Sequence, residues 1–382
     1  MTNSQHDNNH WMARALDLAR QGEAFAHPNP RVGAVLVKNG RVLGEGFHNY
    51  TDLRHAEVIA IEKARSTHSR RGARPRAAAA SLRGASLYVN LEPCCHTGRT
   101  APCTDAVIAA GIRKVFVAAR DPNPRVSGRG IARLRRAGIV VEVGLLEPEA
   151  RRLNEGFARW IRTRRPLVTL KLAMTLDGRV ASPKKSERWI TSPQSREAVQ
   201  QMRHTADAVV TGIGTVLKDD PFLTDRTGLK RRRPLVRVVL DSKLRLPLKS
   251  NLVRSAQGDV LVFTRQPEDS RKALALEEAG VEVMTLHGRG RRLPLKEVFA
   301  ELGELSLLGV MLEAGPTLVD AALHAGVVDK LMLFIAPKFL GGRALALLPD
   351  GFRSLAGAPE LRDIRLHRFG PDFAIEGYFR PV

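Results

Sequence analysis

One histidine, one glutamate and two cysteines are spaced as a catalytic zinc site would require. His55 and Glu57 are two residues apart, and Cys94 and Cys103 stand in the later stretch LEPCCHTGRTAPC. A catalytic zinc ion takes three protein ligands and leaves one position for water, whose pKa it lowers to about 7. His55, Cys94 and Cys103 are therefore the candidate ligands, and Glu57 is available to carry protons.

The order of these residues matches the pattern of zinc nucleobase deaminases, in which histidine-x-glutamate precedes Pro-Cys and a second cysteine. Taken singly, each cysteine is more often an ordinary buried thiol, and a lone histidine is more often a satisfied polar residue. The combination favours the metal site. Cys95, the third cysteine, is interpreted as a neighbour of the site, because Cys94 is the one that follows Pro93.

Short predicted elements would hold the ligands in place. Residues 85–90 (ASLYVN) are typical of a buried strand, and Pro93 then opens a turn. The sequence after Cys103 predicts a helix that ends at Gly111, and His55 begins another apolar-periodic run. Cys103 and His55 would then lie near helix starts, where the helix dipole favours a thiolate and hence metal binding.

Strands and helices alternate along the rest of the chain, which predicts a layered α/β fold. Asn39-Gly40 predicts a hairpin, and Ser192-Pro193 predicts the start of a helix. The arginine-rich segment 66–83 is expected to be a solvated insertion. The other predicted elements are a helix at 11–20 and strands at 32–37, 42–47, 86–89, 114–119, 139–143, 167–173, 208–211, 235–240, 260–264, 281–286, 310–313, 331–335 and 373–379.

Two glycine loops in the second half follow predicted strands and precede predicted helices. They are Gly212-Ile213-Gly214-Thr215 and the stretch Glu313 to Thr317. Exposed amides at a helix start bind phosphate. Neither loop has the full dinucleotide fingerprint, so a plain turn remains the alternative for each.

Length and composition bound the class of protein. A chain of 382 residues with 43% hydrophobic residues suggests two or three domains. Three cysteines make no disulfide framework, so we expect a cytoplasmic protein. The polar N-terminus and the lack of long apolar runs predict neither a signal peptide nor a membrane span.

The net charge of +22 raises nucleic acid as a possible partner. The charge is spread over both halves, and only 5% of residues are aromatic, so stacking platforms for single strands are scarce. We therefore favour a general arginine bias, with some arginines serving anionic substrates.

Motifs along nearly the whole chain resemble those of the bifunctional riboflavin-biosynthesis deaminase–reductase family. The spacer of eight residues between Cys94 and Cys103 is similar to that family's and longer than the Pro-Cys-x-x-Cys of cytidine and nucleic-acid deaminases. The matching stretches are PNPRVGAV, GEGFH, HAE, LEPC…HTGRTAPC and DPNPRVSGRG in the first half, and LKLAMTLDGR, RWITSP, TGIGTVLKDDP, LDS, EAGPTL and IAPKFLGG in the second.

The resemblance implies the fold and the chemistry. Residues 1–147 would form a cytidine-deaminase-like three-layer α/β/α domain that removes the 2-amino group of a 2,5-diaminopyrimidinone bearing a 5-phosphoribosylamino group. Residues 148–382 would form a dihydrofolate-reductase-like α/β domain, with 148–165 as a connector helix. NADPH would there reduce the ribosyl group of the resulting uracil to ribityl. The implied partners are small phosphorylated pyrimidines, without nucleic acid or membrane, and the implied assembly is a dimer or tetramer.

The resemblance also implies site residues, position by position. The zinc ligands are His55, Cys94 and Cys103, and the catalytic proton carrier is Glu57. The NADP-binding positions are Ala173, Trp189, Thr215, Asp219, Ser242, Gly315, Pro316, Thr317, Leu318, Val319, Asp320 and Ala321. The substrate-binding positions are Asn29, His48, Arg99, Asp121, Asn123, Lys171, Glu187, Arg203, Leu223, Arg226 and Glu313. Glu187 stands where the family usually has a substrate-touching serine, and its carboxylate would repel a phosphate.

Three other functions are weighed against this one. A deaminase of nucleic acid would bind RNA or DNA tightly and with strong salt dependence, but it leaves the second half unexplained. A reductase with a structural zinc domain would keep its activity after Glu57→Ala in every assay. A metal-binding scaffold without enzymatic activity would not bind NADPH.

Overall fold

Each half of the chain is built on its own β-sheet. The computed structural model describes residues 3–70, 82–182, 189–288, 290–342, 344–348 and 351–381. The chain divides into a first unit, Met1–Thr163, and a second unit, Arg164–Val382.

The first unit has a five-stranded sheet in the order β2-β1-β3-β4-β5. Strands β1, β2 and β3 pair antiparallel, whereas β3, β4 and β5 are parallel. The carboxyl ends of β3 and β4 therefore lie at the same edge of the sheet. The elements are α1 (Asn3–Arg20), β1 (Gly33–Lys38), β2 (Arg41–Phe47), α2 (Ala56–Arg70), β3 (Ser86–Leu91), α3 (Cys103–Ala109), β4 (Lys114–Ala119), α4 (Arg129–Arg136), β5 (Val140–Val143), α5 (Glu147–Leu153) and α6 (Glu155–Thr163).

Successive residues of β3 and β4 are buried on opposite faces of this sheet. Leu87 and Val115 belong to one apolar cluster, and Tyr88 and Phe116 belong to another. Both faces are therefore covered, which gives the predicted three layers.

Helix α2 packs on β2 with backbone against backbone. A Cβ atom added to Gly44 would lie 2.1 Å from the Ala60 carbonyl oxygen, and one added to Gly46 would lie 2.4 Å from that of Ala56. These two positions have no room for a side chain, and the contact fixes the start of the helix, where His55 and Glu57 are located.

The segment predicted as a connector forms two helices, α5 and α6, with Asn154 between them. Ala150 of α5 is 1% exposed and packs in the same apolar cluster as Met12 of α1. The connector helices are thus part of the first unit, and the compact units divide at 163/164 rather than at the predicted 147/148.

The second unit has a nine-stranded sheet in the order β11-β10-β9-β8-β12-β6-β13-β16-β15, and β7 pairs with β14 in a separate ribbon. The elements are β6 (Leu167–Thr175), β7 (Arg179–Ala181), α7 (Pro193–Thr205), β8 (Ala208–Gly212), α8 (Ile213–Asp219), β9 (Val236–Leu240), α9 (Asn251–Arg254), β10 (Val260–Thr264), α10 (Arg271–Glu278), β11 (Val281–Thr285), α11 (Leu295–Glu304), β12 (Gly309–Glu313), α12 (Pro316–His324), β13 (Lys330–Ala336), β14 (Leu345–Ala346), a 3₁₀ turn (Leu355–Gly357), β15 (Arg362–Phe369) and β16 (Asp372–Tyr378).

The strands from β11 to β13 in this order are all parallel, and only β16 and β15 run antiparallel to their neighbours. The loops that follow the parallel strands therefore meet at one edge of the sheet. In open α/β sheets ligands bind at this edge.

Most predicted strands agree with the structure to within two residues, and Ser192 accepts a hydrogen bond from the Ser195 amide as the predicted N-cap of α7. The first helix begins eight residues before the predicted Trp11, at Asn3. Of the segment 66–83, residues 66–70 continue α2, and 71–81 lie outside the described residues. Within the described ranges, no helix has the length and apolar character needed to cross a membrane.

Candidate functional site

Three side chains of the first unit are grouped as metal ligands would be. The Nδ1 atom of His55 lies 3.1 Å from Cys103 Sγ and 3.5 Å from Cys94 Sγ, and the three atoms all lie within 4.8 Å of one another. Ligands at about 2.0–2.3 Å from a tetrahedral zinc ion are roughly 3.5 Å apart. The donor set and its spacing fit zinc.

Two helix starts and one loop position these ligands. Cys103 is the first residue of α3, and His55 directly precedes α2, as predicted. Cys94 lies in the loop after β3, where its carbonyl accepts from the Thr104 amide and its sulfur accepts from the Cys103 amide at 3.3 Å. The cysteine loop is therefore bound to the first turn of α3.

A hydrogen bond between the two cysteine side chains shifts their pKa values in opposite directions. Hydrogen bonds to its sulfur from Cys103 and from His55 lower the pKa of Cys94 to about 4 despite burial. The same bond to Cys94, together with burial, raises the pKa of Cys103 well above its usual value. A bound divalent cation stabilises both thiols as thiolates. The chemistry of this pair therefore also fits a metal.

Glu57 lies beside the ligands without being one of them. Its side chain is 3% exposed, and its Oε2 atom is buried with no hydrogen-bond partner in the part of the chain that the structure describes. Burial raises the pKa of this carboxyl to about 7. A buried polar atom without a partner is uncommon in a folded protein. The free oxygen leaves Glu57 able to accept a proton from a reactant.

Asn29 and His48 form a hydrogen-bonded pair next to the metal ligands. Asn29 Nδ2 lies 2.9 Å from His48 Nε2, and the His48 ring meets the His55 ring edge-on at 5.2 Å between centroids. Burial, with repulsion from His55, lowers the pKa of His48 to about 4, so His48 is neutral at pH 7. These two predicted substrate residues therefore lie close to the proposed metal.

The loop after β4 carries the predicted residues Asp121 and Asn123. Asp121 is 8% exposed, and burial raises the pKa of its carboxyl to about 6. The Asn123 amide donates to Asp121 Oδ1 at 2.8 Å, which fixes a tight turn. Arg99, from the cysteine loop, lies over the Tyr50 ring at 4.6 Å and is exposed. A cation at this exposed position suits an anionic substrate.

Sequence reasoning missed Glu92, which precedes the Pro-Cys pair and is 3% exposed. Its Oε2 accepts from the amides of Gly128 at 2.9 Å and Asp121 at 3.3 Å, and its Oε1 accepts from the Ile131 amide at 3.1 Å. One carboxylate thus joins the end of β3, the Asp121 loop and the start of α4. No side-chain spacing in the sequence signals bonds to backbone amides.

Glu92→Gln is expected to destabilise the first unit by about 1–3 kcal/mol, because the amide can no longer accept all three bonds. The urea concentration at which half of the ammonia release is lost should fall. The urea concentration at which half of the NADPH oxidation is lost should not change. Glu142→Gln, at an exposed residue paired with Lys114, is the matched control. Equal midpoints for the two variants would contradict this role of Glu92.

A paired arginine and glutamate lie at the carboxyl edge of the second sheet. Arg203 of α7 donates two hydrogen bonds to Glu313 at the end of β12, at 2.6 and 3.0 Å, and a third to the Thr224 carbonyl. Lys171 is opposite Glu313 in the neighbouring strand β6. Burial lowers the pKa of Lys171, whereas Arg203 and Lys171 together overcome burial and lower the pKa of Glu313.

Hydrogen bonds to α7 fix the loop that carries Leu223 and Arg226. Asp225 Oδ2 lies 2.7 Å from Nδ1 of the buried His204, and the Arg226 amide donates to Gln200 Oε1. The Arg226 side chain is exposed, and its charge contributes to the low pKa of Glu313. Leu223 is 4% exposed and packs in the core, so a ligand contact there falls to its backbone.

The predicted NADP-binding positions are spread along the same edge. Ala173 is near the end of β6, Thr215 is in the first turn of α8, and Ser242 follows β9. Gly315 is the N-cap of α12, and a Cβ atom added to it or to Gly214 would meet no atom within 4 Å. This open space beside a helix start fits the close approach of a phosphate.

The remaining predicted cofactor positions range from exposed to fully buried. Trp189 is 56% exposed and stacks with Arg196, and Asp219 is exposed at the end of α8. Val319 is fully buried in the core. Glu187 lies outside the described residues. The other positions in the first turns of α12 are Pro316, Thr317, Leu318, Asp320 and Ala321.

Two buried polar atoms at this edge were not predicted. Among the described residues, Thr211 Oγ1 at the end of β8 and Asp241 Oδ1 just after β9 have no hydrogen-bond partner, although both side chains are fully buried. Asp241 Oδ1 has an ion pair with Arg245 at 3.9 Å. Their strands are neighbours in the sheet. Both atoms therefore lie at the carboxyl ends of neighbouring strands.

Both halves match known families. Residues 5–119 match the cytidine and deoxycytidylate deaminase zinc-binding region, and residues 166–375 match the RibD C-terminal domain.

The chain is also similar to complete proteins. Riboflavin biosynthesis protein RibD from Aquifex aeolicus is 41% identical, with 96% of each chain covered. The protein of the same name from Escherichia coli is 41% identical, with 96% of this chain and 98% of that protein covered. The RibD structure from Acinetobacter baumannii has a TM-score of 0.82 at 34% identity and covers 98% of this chain and 99% of its own. A Thermotoga maritima structure described as a diaminohydroxyphosphoribosylaminopyrimidine deaminase/5-amino-6-(5-phosphoribosylamino)uracil reductase has a TM-score of 0.83 at 36% identity, with the same coverage.

Proposed function

The chain belongs to the RibD family of bifunctional riboflavin-biosynthesis enzymes, and on that basis we propose which residues perform its two reactions. The first unit removes the 2-amino group of the diaminopyrimidinone ribosyl phosphate, and the second unit reduces the ribosyl group of the product to ribityl. The cofactors of the enzyme are zinc and NADPH.

In the first reaction, His55, Cys94 and Cys103 hold the zinc ion. When bound, zinc acts as a Lewis acid that makes water a nucleophile at neutral pH. Glu57 takes one proton from the attacking water and delivers it to the ring nitrogen, and then passes the second proton of that water to the amino group, which leaves as ammonia while the ring carbonyl forms. Asn29 and the neutral His48 bind the pyrimidine beside the metal.

Other residues of the first unit complete the deaminase pocket. Asp121 and Asn123 line it from the loop after β4, and Arg99 attracts the substrate phosphate. A guanidinium group suits this last task because it binds oxyanions with two parallel hydrogen bonds.

In the second reaction, residues at the carboxyl edge of the nine-stranded sheet would hold NADPH, which would supply the hydride for C1′ of the sugar. The cofactor-binding positions named above would bind it, and the amides at the start of α12 suit its phosphates. The hydrogen bonds between Arg203 and Glu313 fix the orientation of both side chains, and this pair would contact the sugar. Lys171 lies beside this pair, and Arg226 is assigned to the phosphate.

The observation that carries the proposal is the grouping of His55 Nδ1 and two cysteine sulfurs beside the partnerless Glu57 Oε2. The test is an assay of zinc-loaded protein with the diaminopyrimidinone ribosyl phosphate, in which ammonia release and NADPH absorbance are followed separately. Ammonia release followed by NADPH consumption is expected. Ammonia release alone would overturn the residues assigned in the second unit, and the absence of both signals would overturn the whole proposal.

Arg226→Ala is expected to raise KM for the phosphorylated substrate of the reductase by about tenfold or more, since a charged hydrogen bond contributes roughly 1.5–3 kcal/mol. The dephosphorylated substrate should be affected much less. Arg254→Ala, at a residue in the last turn of α9, is the control. An equal rise in KM for both substrates would refute the phosphate contact.

We also propose that the partners are small phosphorylated pyrimidines rather than nucleic acid, that the protein acts as a homo-oligomer and that it is cytoplasmic. The dispersed positive charge supports the first statement and the three free cysteines support the last. Salt-sensitive binding of RNA or DNA at submicromolar concentration would contradict the exclusion of nucleic acid. Sedimentation analysis tests the assembly.

A further inference from the structure

Two buried asparagine side chains hold the same peptide group. The carbonyl oxygen of Arg31 accepts a hydrogen bond from Asn154 Nδ2 and another from Asn90 Nδ2, each at 3.0 Å. Asn154 Oδ1 accepts from the Arg31 amide at 2.7 Å, and Asn90 Oδ1 accepts from the Gly33 amide at 2.9 Å. Asn90 is fully buried and Asn154 is 5% exposed. The segment around Arg31 is therefore fixed from two sides.

This segment begins at the deaminase pocket. Arg31 is two residues from Asn29, whose side chain bonds to His48. The His48 amide in turn donates to the carbonyl of Val32, one residue beyond Arg31. Both substrate residues are thus attached to the stretch that the two asparagines hold.

The two asparagines come from different parts of the chain. Asn90 belongs to β3, inside the matched deaminase region of residues 5–119. Asn154 lies between α5 and α6, beyond that region and 123 residues from Arg31. Its backbone is held in turn, since its amide donates to the Arg151 carbonyl and its carbonyl accepts from the Ala158 amide at 2.8 Å.

We propose that Asn154 is a positioning residue for the deaminase reaction, acting through the Arg31 peptide on Asn29 and His48. This inference rests on the proposed function of the first unit. An asparagine amide suits this task because it has a donor and an acceptor side by side, which match the N–H and C=O of one residue. A small displacement of Asn29 and His48 would weaken the contacts that bind the substrate.

Asn154→Ala in the full-length, zinc-loaded enzyme tests the proposal. The KM for the deaminase substrate is expected to rise by about tenfold, with kcat changed by less than about twofold. The reason is that the substitution loosens contacts to the bound substrate but leaves Glu57 in place. Zinc content and NADPH oxidation with the deaminated substrate should stay at wild-type values. Hydrogen exchange should increase at residues 28–33 and not in the rest of the first unit.

Arg151→Ala is the matched control, because Arg151 lies in the adjoining helix α5, is exposed and pairs through its side chain with Glu147 rather than with the segment around Arg31. It should change neither activity. If Asn154→Ala does not fold, Asn154→Ser is measured by the same criteria, since its hydroxyl can retain one of the two bonds.

The deaminase KM of Asn154→Ala decides whether the proposal stands. An unchanged deaminase KM overturns the proposal, and so does a parallel loss of zinc, deaminase kcat and stability, which would make Asn154 a purely structural residue. A wild-type enzyme that releases no ammonia would instead refute the proposed function itself.

Discussion

Glu57→Ala is expected to lower the rate of ammonia release by roughly 10²–10⁴-fold, the usual contribution of a general acid–base residue. The protein should keep its zinc, because the three ligand atoms group without a carboxylate oxygen from Glu57. NADPH oxidation with the already deaminated substrate should be unchanged. Stopped assays of ammonia and metal analysis of the same preparation measure both effects.

Glu62→Ala provides the control for this variant. Glu62 is on the same helix, but it is exposed and pairs with Arg54. It should retain full activity. Loss of zinc from Glu57→Ala would show that Glu57 helps to hold the metal, and undiminished ammonia release would remove it from the mechanism.

Cys103→Ser is expected to abolish zinc binding and to reduce ammonia release to the background rate. The change is nearly isosteric, but a serine hydroxyl does not readily give up its proton to become a ligand, whereas structural and catalytic zinc sites use thiolates. Since Cys103 is fully buried, no other residue is expected to replace it from solvent. Metal analysis after dialysis against a weak chelator measures the loss.

Cys95→Ser is the matched control, because Cys95 is adjacent to a ligand and lies outside the ligand group. It should keep both zinc and ammonia release. Equal zinc loss from the two variants would contradict the ligand assignment. NADPH oxidation should survive in both, since the second unit has its own sheet and core.

The sequence predicts the elements around the metal site well because each ligand stands at a recognisable boundary. His55 and Cys103 precede apolar-periodic runs, and Cys94 follows a buried strand and a proline. Strand β15 was not predicted, because its sequence RDIRLHRF is mostly charged and its residues are largely exposed. It exists because its backbone pairs with β16.

Helices α9, α10 and α11 were also not predicted. Two of them are four and eight residues long, and helices of this length depend on tertiary packing more than on local signals. Glu92 and Asn154 were missed for another reason. Both act on backbone amides or carbonyls far along the chain, and any residue type can provide those partners. The sequence does not encode such contacts in side-chain spacing.

The contact of α2 with Gly44 and Gly46 also bears on how this enzyme tolerates mutation. The helix carries Glu57, the proposed proton carrier, and directly follows His55, a proposed metal ligand, so the two residues move together when the helix is displaced. An alanine at either glycine would force the helix outward, and both groups would shift relative to Cys94 and Cys103. In a mutational scan for deaminase activity, these two glycines would therefore score like active-site residues, although neither supplies a group to metal or substrate.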